Sequence, residues 1–192
     1  INMNRGINMQ FDPTLYVITD SSYHTEDSLL RAVSEACAGG ATLIQLREKD
    51  AGGRDYLALA LRVKEVTDRF QVPLIIDDRV DVALACGAAG VHVGASDHRY
   101  ADGADYLGTG AIYPTTTHVA TKLTPVSTLN EICRAVPIPV VAIGGLQADN
   151  LNVLADSPIA GVAVVSAVMK ADDPRAAAAA IRQRVLSMRE KR

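Results

Sequence analysis

Three polar side chains alternate along residues 45–49, at the point where an apolar run ends. Gln45, Arg47 and Lys49 stand two positions apart in the segment QLREK. In an extended strand such residues point to the same side, so one amide and two cations would share a face. That combination suits a phosphate or a diphosphate, because both cations donate hydrogen bonds to anionic oxygens. A strand end with solvated charges would show the same pattern, and the triplet alone does not separate the two interpretations.

Carboxylates follow the next two apolar runs. Asp77 and Asp78 close one run, and Asp97 follows the next. Mg²⁺ takes oxygen ligands and typically binds through one or two carboxylates together with substrate phosphates. Asp78 and Asp97 are therefore the candidate magnesium ligands; the alternatives are a helix cap for Asp78 and an ordinary loop acid for Asp97. His92 lies within an apolar strand, and we interpret it as a hydrogen-bonded core histidine rather than a metal ligand.

Three further groups of candidates follow later apolar runs. They are Thr115 and Thr117, then Gly144 and Gly145, and finally Val165 and Ser166. Threonine hydroxyls can donate to phosphate oxygens, although threonine-rich loops are common. Backbone N–H groups after the last two strands form the usual phosphate site of (β/α) barrels. A glycine pair at such a place lets the backbone approach a ligand closely.

Short β-branched runs alternate with longer stretches rich in alanine and leucine. Strands are predicted at residues 14–19, 41–46, 72–77, 90–93, 105–109, 139–143 and 161–166. Helices are predicted at residues 25–38, 55–70, 81–86, 126–135, 149–155 and 174–188. The strands are continuously apolar, which is typical of a parallel sheet buried on both faces. Repeated strand–helix units of this kind predict either a doubly wound sheet or a closed barrel.

Composition indicates one globular domain. The chain has 192 residues, of which 48% are hydrophobic, and this predicts one domain at residues 13–192 after an N-terminal extension at residues 1–12. The net charge of −3 gives no indication of a nucleic-acid or membrane surface, and no apolar run approaches the ~20 residues of a membrane span. The three cysteines lack CxxC spacing, so we expect buried thiols in a reducing compartment and a cytoplasmic location. The oligomeric state stays open, a homo-oligomer included.

Seven segments carry a family resemblance. They are LYVITD (15–20), QLREK (45–49), IIDDRVDVA (75–83), GVHVGASD (90–97), ADYLGTGAIYPTTT (104–117), AIGG (142–145) and VAVVSA (162–167). Each is weak alone, but the ordered set closely resembles the thiamine-phosphate synthase family. The resemblance implies a (β/α)8 TIM barrel and Mg²⁺ as cofactor. It also implies a transferase that couples 4-amino-5-hydroxymethyl-2-methylpyrimidine diphosphate to hydroxyethylthiazole phosphate, with release of diphosphate.

The same resemblance implies a role for each candidate. Gln45, Arg47 and Lys49 match residues that hold the diphosphate, Asp77 lies beside them, and Asp78 and Asp97 match the magnesium ligands. Lys49, Thr115 and Thr117 match residues near the reacting groups, while Gly144, Gly145, Val165 and Ser166 match the thiazole-phosphate site. In the implied mechanism the diphosphate leaves first and gives a stabilised pyrimidine cation. The thiazole nitrogen then attacks that cation.

Three residues depart from the family pattern. Asp77 stands where the family usually has asparagine, Ala95 where it has glutamine, and His118 where it has lysine. Asp77 is the departure with the clearest consequence, because an extra acid beside a diphosphate repels it unless a metal or a cation compensates. Lys122, four residues after His118, is a candidate replacement for the lysine.

The largest departure is a missing strand–helix unit. The resemblance implies such a unit before the ADYLG strand, but only the segment HRYADGA separates Asp97 from Asp105, whereas a parallel crossover needs about a dozen residues. Either the chain has lost this unit or residues are missing from the sequence between Asp97 and His98. We expect missing residues, because a barrel without one strand exposes two unpaired edges. This predicts that the Cα atoms of Asp97 and His98 lie well beyond about 3.8 Å.

Three rival functions remain at this point. The first is a thiazole tautomerase on the same barrel; its relatives tend to lack the two metal-binding acids, so the presence of Asp78 and Asp97 argues against it. A non-catalytic homologue that binds thiazole phosphate or thiamine phosphate would explain the three departures. Another phosphosugar barrel, such as an epimerase, would explain AIGG and VVS but not QLREK together with the paired acids.

Overall fold

The computed structural model describes residues 11–94, 103–115 and 122–191. The predictions for Asp97 and Thr117, and the departures at Ala95 and His118, concern residues outside these ranges. The predicted Cα distance between Asp97 and His98 also lies outside them.

All seven predicted strands are confirmed, each shorter than its predicted range. They are β1 (Leu15–Ile18), β2 (Leu43–Leu46), β3 (Leu74–Asp77), β4 (Gly90–His92), β5 (Leu107–Thr109), β6 (Val140–Ile143) and β7 (Gly161–Val164). They form one parallel sheet in the order β4-β3-β2-β1-β7-β6-β5. This is the strand order of a barrel that is opened between β4 and β5.

Six α-helices lie within the described residues, four of them between strands and two after β7. They are α1 (Glu26–Ala38), α2 (Gly53–Arg69), α3 (Val80–Cys86), α4 (Val126–Ala135), α5 (Ser166–Met169) and α6 (Pro174–Arg189). The prediction of a helix at residues 149–155 is wrong, because this segment forms a 3-10 turn at Leu151–Leu154 instead. Asn150 explains the difference, since its side chain bonds the backbone of Gln147 and Gly145 before a helix can begin. None of the described helices is both long and apolar enough to cross a membrane.

The prediction of a closed eight-stranded barrel needs correction. Within the described ranges the sheet has seven strands, and β4 and β5 each pair along one edge only. The physical reason is the short segment between them, which leaves no length for a further strand and its crossover. The sheet is nevertheless curled, and its two edges approach each other: the Tyr106 hydroxyl beside β5 lies 2.7 Å from Nδ1 of His92 on β4. The fold is therefore a TIM-barrel-like half-barrel.

Alternation along the strands builds two apolar layers. On β1, Leu15 and Val17 pack against the helices in the large outer core, while Tyr16 and Ile18 point into the curl of the sheet. Buried residues on both faces explain why the strands read as continuous apolar runs. The inner layer leaves its space open at the carboxyl ends of the strands, where the polar residues begin.

Candidate functional site

A cavity of about 350 Å³ opens at the carboxyl ends of the strands. Every strand contributes to its wall through a residue at or just beyond its end. The predicted site residues that line it are Gln45, Arg47, Lys49, Asp77, Asp78, Thr115, Gly144, Gly145, Val165 and Ser166. The structure thus brings together every predicted site residue within the described ranges.

The end of β2 turns alternate side chains to opposite sides, as the spacing of QLREK predicts. Gln45, Arg47 and Lys49 line the cavity, whereas Glu48 turns away and accepts a hydrogen bond from the Ser21 hydroxyl. The backbone N–H of Arg47 donates to the buried hydroxyl of Thr19 at 3.0 Å, which fixes the end of β2 against β1. The three polar groups therefore stand on a firmly held strand end.

Lys49 is the centre of an ion-pair cluster. Its Nζ lies 2.6 Å from Asp78 Oδ2 and 2.9 Å from Asp77 Oδ2, and Arg47 Nε lies 3.8 Å from the same Asp77 oxygen. Burial opposes protonation of Lys49, but hydrogen bonds and charge from Asp78 and Asp77 outweigh it and raise the pKa of the ammonium. Lys49 is therefore a permanent cation, and the formal charges of the two cations and two carboxylates cancel.

The two neighbouring acids differ in environment. The Asp77 side chain is 7% exposed and that of Asp78 is 42% exposed, so Asp78 presents its oxygens to solvent. Asp78 adopts a left-handed backbone with φ 58°, and its N–H donates to the His92 carbonyl at 2.8 Å. The alternative of Asp78 as a helix cap is not supported, because Arg79 is the N-cap of α3 and no side chain caps that helix.

Asp78 fits a magnesium ligand by its chemistry. A solvent-accessible carboxylate at the cavity mouth, beside residues suited to diphosphate, is the arrangement in which Mg²⁺ binds through few protein ligands and substrate oxygens. Among the described residues no group of three or more His, Cys, Asp or Glu side chains forms a metal site by itself. The second predicted ligand, Asp97, lies outside those residues.

Tyr56 is a site residue that sequence reasoning missed. It lies on α2, is 1% exposed, and its hydroxyl reaches the carbonyl of Leu46 at 2.8 Å and that of Asp77 at 3.2 Å. Burial is the main reason that its pKa is raised, so the hydroxyl keeps its proton. One side chain thus ties the end of β2, which carries Arg47, to the end of β3. A tyrosine in an amphipathic helix gives no sequence signal for this role.

Replacing Tyr56 with phenylalanine is expected to lower the free energy of unfolding by about 1–3 kcal/mol. The change removes one buried donor and leaves two buried carbonyls without it. Urea denaturation of the purified variant measures this loss. Tyr23→Phe is the matched control, because Tyr23 contacts Lys170 through its ring, and we expect a change within about 0.5 kcal/mol. Equal effects in both variants would contradict the role of Tyr56.

Below the polar rim, a hydrogen-bonded chain forms the floor of the cavity. Gln45 Nε2 donates to the Tyr16 hydroxyl at 2.7 Å, and this hydroxyl lies 3.0 Å from that of Tyr106. The Tyr106 hydroxyl forms the next hydrogen bond, with His92 Nδ1 at 2.7 Å. Burial lowers the pKa of His92. The interpretation of His92 as a hydrogen-bonded histidine is confirmed, although the ring also reaches the cavity wall. Tyr16 and Tyr106 were missed, because tyrosines in apolar runs are most often core residues.

The opposite wall is made of backbone. Gly144 and Gly145 follow β6 with φ 102° and 65°, a left-handed region that side chains rarely adopt. A Cβ on Gly145 would lie 2.7 Å from the Tyr113 Cβ. Asn150 holds this turn, since its Nδ2 donates to the Gly145 carbonyl at 2.9 Å and its Oδ1 accepts from the Gln147 N–H at 2.9 Å. The turn is therefore rigid, and it lies in the same cavity wall as Ser166.

A curled parallel sheet with a polar cavity at the carboxyl edge defines the class of protein as a TIM-barrel-like enzyme fold. The family model described as "Thiamine monophosphate synthase" matches residues 15–102 and 98–168, and the chain belongs to this family. It is 45% identical to "Thiamine-phosphate synthase 2" of Streptococcus pneumoniae over 186 positions, which cover 83% of this chain and 89% of the relative. It is 42% identical to the "Thiamine-phosphate synthase" of Ruminiclostridium cellulolyticum, with coverage of 88% and 93%.

The structural comparison agrees with the sequence comparison. "Thiamine phosphate pyrophosphorylase" from Pyrococcus furiosus superimposes with a TM-score of 0.82 at 35% identity. The match covers 92% of this chain and 97% of that protein. The strands and helices of this chain therefore lie largely as they do in that protein.

The comparisons also locate the missing strand–helix unit. The two matches to the family model meet at residues 98–102, which is the junction that motif order indicates. The alignment with the pneumococcal relative extends over 186 positions yet occupies only 83% of the 192 residues. The relative therefore has positions with no counterpart in this chain, as a missing unit requires.

Proposed function

We propose that this chain is a thiamine-phosphate synthase. It would couple the pyrimidine diphosphate to the thiazole phosphate and release thiamine phosphate and diphosphate. One observation carries the proposal beyond family membership: a single cavity has a cationic wall on β2 and a glycine backbone wall after β6. Two phosphorylated substrates can thus bind at opposite walls with their reacting groups between them. The substrates are small molecules, and buried thiols at Cys37 and Cys86 fit a cytoplasmic enzyme.

The cationic wall is the proposed diphosphate site. Arg47 and Lys49 donate charged hydrogen bonds, and Gln45 adds an amide. Asp77 and Asp78 cancel the charge of the two cations, so these five residues alone attract a polyanion weakly. An additional cation is therefore needed, and Mg²⁺ held by Asp78 together with Asp97 would supply it. When bound, Mg²⁺ would neutralise charge on the leaving diphosphate.

The backbone wall is the proposed thiazole-phosphate site. Gly144 and Gly145 have no side chain to prevent a phosphate from approaching the backbone, and Val165 and Ser166 offer further N–H groups after β7. Neutral backbone donors suit a phosphate that is bound but does not react. The charged residues are thereby reserved for the diphosphate that leaves.

The proposed reaction needs positioning and charge stabilisation rather than acid–base catalysis. The bond from the pyrimidine methylene carbon to the diphosphate oxygen breaks, and its electron pair leaves with the diphosphate. The thiazole nitrogen then gives its lone pair to that carbon and forms the new C–N bond. This nitrogen carries no proton, so no general base is required. Lys49, with Thr115 and Thr117, is the proposed catalytic group because charge grows on the leaving group during the reaction.

Gly145→Ala is expected to raise the KM for thiazole phosphate about tenfold or more. The added Cβ would lie 2.7 Å from the Tyr113 Cβ and 2.8 Å from the Pro114 carbonyl oxygen. The turn at Gly144 and Gly145 would therefore have to move. Initial rates at varied thiazole phosphate measure this change. Gly103→Ala is the control, because Gly103 also has a positive φ of 92° but nothing lies near its Cβ position. An unchanged KM in Gly145→Ala would contradict the proposal that the turn at Gly144 and Gly145 binds the thiazole phosphate.

A second candidate is a non-catalytic homologue that binds thiazole phosphate. The observation in its favour is Asp77, which cancels a positive charge at the diphosphate wall. The test incubates the purified chain with Mg²⁺ and both substrates and quantifies thiamine phosphate by chromatography. A synthase forms product in molar excess over protein. A binding homologue binds thiazole phosphate in a titration but forms no product.

A further inference from the structure

The hydrogen-bonded chain below the cavity runs across the open side of the sheet. Its members come from β2, β1, the residue before β5, and β4: Gln45, Tyr16, Tyr106 and His92. The Tyr106 ring is held from two sides, since it stacks on Phe11 with centroids 5.3 Å apart and meets the Tyr16 ring edge-on at 5.8 Å. The chain is therefore a fixed part of the fold, and its proton order follows from its chemistry.

The proton order can be read from the donors. Gln45 Nε2 donates to Tyr16, so the single Tyr16 proton is free for its other neighbour, the Tyr106 hydroxyl. Tyr16 is 2% exposed, and a buried hydroxyl proton without an acceptor would cost about 1–3 kcal/mol. Tyr106 consequently accepts from Tyr16 and gives its own proton to His92 Nδ1, which lies 2.7 Å away.

Two pKa shifts agree with this order. Burial, with the charge and hydrogen bond of Tyr106, raises the pKa of Tyr16. Burial raises the pKa of Tyr106 to about 12. Both phenols are therefore protonated at neutral pH, and each has one proton to donate.

We propose that Tyr106 is a positioning residue that holds His92 in the tautomer with the proton on Nε2. Because Nδ1 accepts from Tyr106, the ring proton of the neutral imidazole must sit on Nε2. Nε2 has no hydrogen-bond partner among the described residues, and the His92 ring lines the cavity. His92 then offers the cavity a fixed N–H donor for an acceptor atom of a bound substrate. The use of this donor in turnover rests on the proposed function; the tautomer itself does not.

The test is NMR spectroscopy of the free protein with ¹⁵N-labelled histidine, recorded at about pH 8, where an imidazole is neutral. Long-range ¹H–¹⁵N spectra distinguish protonated from unprotonated ring nitrogens, and His92→Gln identifies the His92 signals. We expect Nε2 protonated and Nδ1 unprotonated in the wild type. In Tyr106→Phe both nitrogens should shift towards averaged values, because the donor that selects the tautomer is gone. A wild-type His92 with its proton on Nδ1 overturns the proposal, whatever the variant does.

Two controls separate this role from general damage. Tyr113→Phe likewise removes a tyrosine hydroxyl, but this hydroxyl donates to the backbone carbonyl of Asn150 and not to His92. The His92 signals should therefore stay unchanged in this variant. His24 is an internal reference, because its Nε2 lies 2.7 Å from the Met169 carbonyl and must carry a proton to donate there. An unchanged His92 spectrum in a folded Tyr106→Phe variant would also overturn the proposal.

Kinetics then test whether turnover uses the donor. Tyr106→Phe should lower kcat/KM about threefold to tenfold, the value of one hydrogen bond. If the spectra agree with the proposal but no variant turns over, the proposed function fails and the positioning role stands. If the chain turns over but His92 carries its proton on Nδ1, the positioning role of Tyr106 fails and the proposed function stands.

Discussion

Replacing Lys49 with glutamine is expected to lower kcat/KM by about 10²–10³-fold. Lys49 Nζ is the cation held between Asp77 and Asp78 at the cavity wall, and its raised pKa keeps it charged. Charge grows on the diphosphate as its bond breaks, so a fixed cation stabilises the transition state more than the ground state. Most of the loss should therefore appear in kcat rather than in KM. Steady-state rates of diphosphate release measure both parameters.

The matched control for this prediction is Lys64→Gln. Lys64 forms a surface ion pair with Asp68 at 2.6 Å, the same distance as the Lys49–Asp78 pair, but it lies on α2 outside the cavity. We expect wild-type kinetics in this variant, since exposed pairs contribute little. If Lys49→Gln changed KM alone, Lys49 would bind substrate without stabilising the leaving group, and its catalytic assignment would be wrong.

The two neighbouring acids are expected to respond in opposite directions to the same substitution. Asp78→Asn should lower kcat/KM about a hundredfold, because it removes the exposed oxygen ligand proposed for Mg²⁺. Asp77→Asn should instead lower the KM for the pyrimidine diphosphate about threefold to tenfold. It removes a buried negative charge near the proposed diphosphate, whose repulsion is on the order of 1 kcal/mol.

Magnesium titration of the rate separates the two effects. Asp78→Asn should need a higher Mg²⁺ concentration for half-maximal rate, and Asp77→Asn should need a lower one. Asp68→Asn removes the carboxylate of the surface pair on α2. It is expected to change neither the kinetic constants nor the Mg²⁺ concentration for half-maximal rate. Equal losses in Asp77→Asn and Asp78→Asn would mean that both acids act together, which would contradict the separate roles assigned from their exposure.

Strands and helices were predictable because their residue patterns are continuous. β6 was predicted at residues 139–143 and spans Val140–Ile143, and α4 has the predicted bounds Val126–Ala135. The predicted range 25–38 begins at Thr25, which is the N-cap of α1, and its side chain accepts from the Ser28 N–H at 3.3 Å. Local chemistry decides these features, so a single sequence contains enough information for them.

Other features depend on contacts between distant residues. α5 (Ser166–Met169) is a single turn, too short to produce a periodic pattern. The bonds from Tyr56 to two strand ends join residues 10 and 21 positions away, and Tyr106 reaches Tyr16 across 90 positions. Propensity and periodicity describe neighbours along a chain, so these contacts had no signal in either.

The polar residues of the site were predictable to a large extent because they follow strand ends. Parallel strands bring their carboxyl ends to one edge, so Lys49, Asp78 and Gly145 come together once the strands are known. Motif order added their expected roles. The closed barrel was the weakest part of the prediction, because it relied on a further strand–helix unit, and the segment between β4 and β5 is too short for one.

Diphosphate release is the most direct test of the central claim. Protein whose intact mass has been compared with 20.3 kDa is mixed with the pyrimidine diphosphate and the thiazole phosphate, with Mg²⁺ or with EDTA. We predict one thiamine phosphate for each diphosphate released, with Mg²⁺ only and with both substrates present. A mass above 20.3 kDa would also show that residues are missing from the sequence. Protein of 20.3 kDa that binds thiazole phosphate but releases no diphosphate would contradict the synthase assignment.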